Sequence, residues 1–215
     1  MRLNGKLARI YGTAVLIGSL GVVPLAAEAA SAARPTVAAT AIDLSRIRID
    51  NFGEVNGAYF RGAQPQGRDY ADLAAIGVKT VIDLTKDGEQ NEPGSVRQAG
   101  MRFFRIPMTT HDVPTAAELA QFLQIVNDPA SQPVYVHCQG GRHRTGVMTA
   151  VFRMTKDGWS PARAFAEMKQ YKFGADFLHS EFKAFVYDYA AQMAHAAATV
   201  SAKTGVSGQT SARRS

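Results

Sequence analysis

The chain has a single cysteine, Cys138, among its 215 residues. One thiol cannot close an intramolecular disulfide, so no covalent staple contributes to this fold. The five histidines fall at none of the paired spacings that hold a metal ion in sequence. No tandem repeat is visible, which excludes a solenoid or propeller. A charge excess is also missing where it would matter. The formal +6 comes from Arg2, Lys6, Arg9 and Arg34 at one end and Lys203, Arg213 and Arg214 at the other, offset by Glu28. Residues 41–194 are therefore neutral, and a nucleic-acid partner for the core has no electrostatic basis.

Between Ile10 and Ala27 there is no charged residue. With Arg2, Lys6 and Arg9 ahead of it and the small-residue exits Ala27-Glu28-Ala29 and Ala30-Ser31-Ala32 behind, this stretch reads as a signal peptide, residues 1–29. Gly12, Gly18, Gly21 and Pro24 dilute the apolar run, which disfavours the alternative of a retained membrane anchor. The mature protein is then expected in a periplasm or outside the cell, with no stable membrane insertion after cleavage. A lone thiol in such an oxidising compartment needs a reason to be there, and catalysis supplies one.

What is present is 46% hydrophobic content, enough for one packed domain. A flexible lead-in over 30–45, a domain over 46–194 and a disordered tail over 195–215 follow from composition. Ala58-Tyr59-Phe60-Arg61 marks a first strand. Arg68–Ile76 reads as a short helix ended by Gly77, and Val78–Thr85 as a β-branched strand. Thr85–Gly94 is a polar loop, Val96–Ala99 a helical turn closed by Gly100, and Met101–Met108 a strand. Thr115 with Glu118 forms a capping box ahead of an amphipathic helix carrying Leu119, Phe122, Leu123 and Val126. Ser160 caps a helix with Pro161 at its first position and Ala164, Phe165, Met168 and Tyr171 inward. Asp176 to about Met193 gives a last helix with Phe177, Phe182, Phe185, Val186 and Tyr189 inward. Strands alternating with helices predict the α/β class, a single domain with a central, mostly parallel sheet.

The densest chemistry lies in Val134-Tyr135-Val136-His137-Cys138-Gln139-Gly140-Gly141-Arg142-His143-Arg144-Thr145-Gly146. An apolar strand after Pro133 runs into a short loop, and the loop into an apolar helix. A strand-to-helix loop of that length can wrap its backbone N–H groups around a tetrahedral oxyanion at the helix N-terminus. The same positive end favours the thiolate of Cys138. Arg144 offers a planar two-donor fork to the anion. Gly140 and Gly141 permit positive φ and close backbone approach. Nucleophile, anion cradle and charge clamp within seven residues point to phosphoryl transfer.

These residues resemble the signature of the cysteine-dependent protein tyrosine phosphatase superfamily, His-Cys-x5-Arg-(Ser/Thr), with every fixed position filled by His137, Cys138, Arg144 and Thr145. The looser matches Asn51–Val55, Tyr59–Pro65 and Gly77–Leu84 are similar to the compact dual-specificity subgroup, including its atypical plant-and-fungal type and bacterial relatives. The resemblance implies a protein tyrosine phosphatase-like fold with the signature loop between a central strand and a helix. It implies hydrolysis of phosphate monoesters through a phosphocysteine and no cofactor or metal. Thr145 would hydrogen-bond the sulfur, and His137 would order the loop from a side chain facing away from that of Cys138.

The general acid of this family is an aspartate on an upstream loop. Asp112, 26 residues before Cys138, is the positional match. His111, Asp87, Glu89 and Glu92 are the other candidates, while Asp83 lies in a strand. Gln139, Gly140, Gly141, Arg142 and His143 are expected to bind substrate. The cation Arg142 is similar to those of phosphoinositide phosphatases, whereas Gln139 departs from their basic residue. A phosphorylated protein and a phosphoinositide or inositol phosphate both remain open as substrates. Alternatives outside this chemistry are a rhodanese-like sulfurtransferase and a phosphate-binding module without turnover.

Overall fold

The computed structural model describes residues 43–207. The expected signal segment, most of the expected lead-in and the last residues of the expected tail lie outside the described residues. Five strands form one sheet in the order β1-β2-β5-β3-β4. They span Gly53–Asn56 (β1), Tyr59–Gly62 (β2), Thr80–Asp83 (β3), Arg102–Arg105 (β4) and Val134–His137 (β5). Only β1 and β2 pair antiparallel; β2 with β5, β5 with β3 and β3 with β4 are parallel. The helices are Asp69–Ala75 (α1), Glu92–Gln98 (α2), Ala116–Asn127 (α3), His143–Lys156 (α4), Pro161–Gln170 (α5) and Ser180–Ser207 (α6). Among the described residues no helix is long and apolar enough to cross a membrane.

The alternation of side chains along each strand divides the core between the two faces of the sheet. Tyr59, Ile82, Val134 and Val136 pack with Phe122, Val126, Met148 and Phe152 of α3 and α4. Phe60, Val81 and Tyr135 pack with Tyr70, Leu73 and Val96 of α1 and α2. A third cluster joins α4, α5 and α6 through Val147, Met168, Phe182 and Val186. Gly62 and Asp83 both stand level with His137 in the register. The carboxyl ends of three neighbouring strands therefore meet at one edge, where open α/β sheets place their ligands.

Several local features agree with the sequence. Thr115 accepts from the Glu118 amide, and the Glu118 side chain returns the bond to the cap. Gly77 and Gly100 end their helices at φ +92° and +81°. Other features differ. The first strand is a hairpin of two, because Gly53–Asn56 lacks apolar alternation and reads as loop. α2 begins at Glu92 rather than Val96, since Pro93 sits in its first turn, where a missing N–H costs nothing. Phe177 is 80% exposed rather than inward, because Asp176–His179 is a 3-10 turn whose tighter period rotates it off the core face. α6 continues to Ser207, through part of the stretch where composition predicts disorder. Ala194, Ala196, Ala197 and Ala198 are strong helix formers.

Candidate active site

Cys138 follows β5 directly and is 3% exposed. The next five residues wrap from the sheet edge into α4, which begins at His143. The N-cap residue Arg142 makes no side-chain capping bond. The first amides of a 14-residue helix are thereby left for an anion, with the positive end of the helix behind them.

The carbonyls of Gln139, Gly140 and Gly141 are engaged on the outer side of the loop. The Gln64 amide donates to Gln139 O at 3.2 Å. Asn51 Nδ2 donates to Gly141 O at 2.7 Å and Gly140 O at 3.4 Å, and Arg61 Nη2 to Gly141 O at 2.7 Å. In a trans peptide the N–H points opposite its carbonyl. The amides of Gly140, Gly141 and Arg142 must then face the inner side of the loop. Of the two glycines only Gly141 has positive φ, +62°, so the expectation for Gly140 is not met. Gly141 also lies so close to β2 that a Cβ would sit 2.4 Å from the Gly62 carbonyl carbon.

Asn51, Arg61 and Tyr171, to which the sequence assigns no role at the loop, hold this arrangement from behind. Asn51 adopts φ 54°, a left-handed conformation that asparagine tolerates, and also donates to Tyr171 O at 3.0 Å. Arg61 is fully buried, with its guanidinium 3.9 Å from the Tyr171 ring centroid. Its Nε and Nη1 have no hydrogen-bond partner, and the ring face supplies the compensation. Gly53 leaves room for that ring, since a Cβ there would fall 2.0 Å from the Tyr171 hydroxyl. Tyr171, expected on the inward side of α5, lies past its end and serves the loop. A charged residue inside an apolar strand run was the available signal for Arg61.

His137 faces away from Cys138, as the alternation requires, and its ring stacks on Tyr135 at 5.7 Å. Its Nε2 lies 2.9 Å from Glu92 Oε1. Burial alone pushes the Glu92 carboxyl up. Contact with His137 and the bonds from Gln64 Nε2 (2.8 Å) and Tyr70 Oη (3.3 Å) outweigh it and hold the group below the usual carboxylate value. Glu92 is buried against His137, whose side chain faces away from Cys138. Asp83 is buried beside Glu92 and paired with Arg105 Nε at 2.7 Å. Asp83, Glu92 and His137 bring three potential metal-ligand atoms within 4.8 Å. Arg105, whose Nη2 is 3.8 Å from Glu92 Oε2, occupies the charge such a group would offer a cation.

Arg144 is buried, and its Nη1 donates to Met108 O at 3.3 Å and lies 3.8 Å from Asp87 Oδ1. Lys86, Asp87, Thr109, Thr110 and Arg144 line one cavity. A second, polar one is lined by Gln64, Gln66, Asp87, Glu89 and Gln139, among others. Thr145 Oγ1 is buried without a hydrogen-bond partner, so the expected bond to sulfur is not formed. Arg142 is exposed and folds back over Gly140. The His143 ring turns away from the loop, its Nε2 2.9 Å from Phe173 O and its face on His179. Burial lowers its pKa more than that bond raises it, and neighbouring His179, Arg142 and Arg144 lower it further, so its charge at neutral pH is reduced. Asp112 is exposed on the loop after β4, its Oδ2 accepting from Thr109 Oγ1 at 2.7 Å. Its carboxylate is turned into its own loop, while that of Asp87 is beside Arg144.

A buried thiol at a strand tip, a cradle of inward amides and an arginine returning from the first turn of a helix define a cysteine-dependent phosphatase. The chain belongs to the family described as DSP-PTPase phosphatase fused to NAD+ kinase, whose model matches residues 43–186. It is 31% identical over 168 residues to the dual specificity protein phosphatase TpbA of Pseudomonas aeruginosa, covering 78% of this chain and 72% of that one. It is 26% identical over 130 residues to the inositol diphosphatase SIW14 of Saccharomyces cerevisiae, covering 58% and 46%. The crystal structure of P. aeruginosa TpbA superposes with a TM-score of 0.56 at 28% identity, over 64% of this chain and 83% of that one. A further crystal structure of TpbA, in complex with pTyr, gives 0.55.

Proposed function

We propose that this phosphatase acts on phosphorylated proteins, phosphotyrosine foremost, with Cys138 as nucleophile. The thiolate attacks phosphorus in line, and the amides from Gln139 to Arg144 with the Arg144 guanidinium stabilise the charge spreading over the equatorial oxygens. As the S–P bond forms, the ester P–O bond breaks and its oxygen takes a proton from Asp112. Water then attacks the phosphocysteine, giving its proton to the Asp112 carboxylate. The S–P bond breaks and inorganic phosphate leaves.

The observation that carries the substrate class is the surface beside the loop. Its polar cavity is lined by amides and by the acidic Asp87 and Glu89, with no lysine or arginine. A substrate bearing several phosphates would meet like charge there, whereas a single phosphoryl group on an aromatic side chain would not. The relative solved with pTyr supports the same reading. A second reading, an inositol diphosphate, draws on Lys86 beside Arg144 and on SIW14. Turnover of a phosphotyrosyl peptide, a phosphoinositide and an inositol pyrophosphate by the purified protein separates them. The peptide is expected to give the highest kcat/KM, and an inositol substrate in first place overturns the assignment.

For the proton donor, Asp87 is the second reading, favoured by its 3.8 Å approach to Arg144. Residues 1–29 are proposed to direct export, supported by the basic, apolar and small-residue order of the sequence. Amino-terminal sequencing of exported protein should begin between Ala30 and Arg34. Full-length protein in the membrane fraction would argue for an anchor.

A further inference from the structure

Outside the phosphate loop, three ligand-type side chains converge from separate elements. His111 precedes Asp112 on the loop after β4, His179 ends the 3-10 turn, and Glu181 lies in the first turn of α6. Glu181 Oε1 is 3.3 Å from His179 Nδ1 and 3.9 Å from His111 Nδ1, and all three ligand atoms lie within 4.8 Å of one another. We propose that these residues form a binding site for a divalent transition-metal ion of the zinc type, which ties the loop bearing Asp112 to the start of α6.

The geometry fits that chemistry. Metal–nitrogen and metal–oxygen bonds of about 2.0–2.2 Å in a tetrahedron set neighbouring ligand atoms roughly 3.3–3.5 Å apart. The Glu181–His179 separation is already there, the Glu181–His111 one needs a few tenths of an ångström, and the His111–His179 one, within 4.8 Å, closes by movement of His111 on its exposed loop. Two imidazoles with one carboxylate select zinc-like ions over magnesium or calcium, which favour all-oxygen shells. The fourth position faces solvent beside the 75%-exposed His111 side chain. Neighbours support the ligands as well. The His179 ring is only 14% exposed, with the His143 ring 3.8 Å away and Phe182 at 5.8 Å, so its orientation is fixed. The His111 ring stacks on His179 at 5.6 Å, which brings the loop to the site without metal. His143 belongs to the phosphate loop, so the site also abuts the catalytic centre. That coupling, though not the binding itself, rests on the phosphatase reading.

The test uses tag-free protein with Cys138→Ser, which removes the thiol as a competing ligand. Titration with Co2+ should develop the visible absorption of a tetrahedral site at one equivalent, and Zn2+ should displace it while Mg2+ does not. Removing an outer partner of a metal ligand already costs about 10- to 100-fold in affinity. Removing a ligand, as in His111→Ala or Glu181→Gln, should therefore weaken binding by about 100-fold or more. His111 is exposed, so this variant should fold. His195→Ala, some 20 Å further along α6, should bind as the parent does. Hydrogen exchange across Thr109–Pro114 should slow on adding Zn2+. Absence of a tetrahedral Co2+ spectrum, or equal affinity after His111→Ala, would leave the trio a plain ion-pair cluster and overturn the proposal. Because every readout is made without turnover, failure here is separate from failure of the phosphatase assignment.

Discussion

Replacing Glu92 with glutamine tests whether the phosphate loop is held from the far side of the sheet. Glu92 is buried, and one oxygen serves Gln64, Tyr70 and His137 at 2.8, 3.3 and 2.9 Å. Glutamine keeps the shape and one acceptor but removes the charge that faces His137 and Arg105. Breaking a buried pair from one side costs about 3–5 kcal/mol, because the remaining groups stay buried without compensation. In a domain of this size each kcal/mol is worth roughly 2–4 °C, so a melting temperature about 6–20 °C lower is expected near pH 6. The pH dependence gives the assay its sign. The folded carboxyl is held below its ordinary value of 4.5. Its stabilisation is then complete above that pH and fades as pH falls through the folded value. The gap between wild type and Glu92→Gln should be wide near pH 6 and shrink below about pH 4. Circular-dichroism melts across that range suffice. A variant that melts within 2 °C of wild type near pH 6, a shift worth no more than about 1 kcal/mol, would refute the argument. So would a gap that does not narrow in acid.

Cys138→Ser should abolish turnover with the fold intact, read by aryl phosphate hydrolysis and a melt; activity within tenfold of wild type excludes the thiol as nucleophile. Arg144→Lys should be severely impaired, since an ammonium cannot reproduce a two-pronged contact. Asp112→Asn should slow hydrolysis of an alkyl phosphate by about 10²- to 10⁴-fold, affect para-nitrophenyl phosphate much less, and remove the basic limb of the pH–rate profile. The same pattern in Asp87→Asn instead would move the proton donor. Gly141→Ala should cost at least about 1–2 kcal/mol from its left-handed φ alone, with a further penalty because Gly62 is backbone and cannot yield. A melting temperature unchanged from wild type would exclude that contact.

The reacting segment was legible because it is contiguous. Strand, thiol, turn, arginine and helix occur in sequence order within one run, and each local signal agrees with the next. Helix ends at Gly77 and Gly100 were legible for the same reason, as was the Thr115 box. The support behind the loop was not. Asn51, Arg61, Glu92 and Tyr171 come from four segments, and the Asn51–Tyr171 bond joins positions 120 apart. No period of 2 or 3.6 residues carries that information. Pro93 was read as the end of a loop although it equally suits a first helical turn. Phe177 shows the complementary error. An aromatic at helical spacing looks inward until the backbone winds at three residues per turn.

The loop's chemistry depends on amides that do not reorganise when charge develops, and such rigidity has to come from elsewhere. Here it comes from the carbonyl side. Each outward carbonyl is bonded to a group that is itself fixed: the Gln64 amide at the exit of β2, Asn51 at the entry to β1, and Arg61 within β2. The last two also share Tyr171, through a carbonyl bond at 3.0 Å and a stacked ring at 3.9 Å. A buried guanidinium with two unpaired nitrogens is expensive on its own. It is tolerated because the ring face and the Gly141 carbonyl compensate it together. The cost explains why a neutral amide is not equivalent at Arg61. Only a long, planar cation reaches from the strand to the loop while stacking on the ring. The sheet therefore positions the thiol, and the side chains of Asn51 and Arg61, gathered around Tyr171, set the direction of the amides.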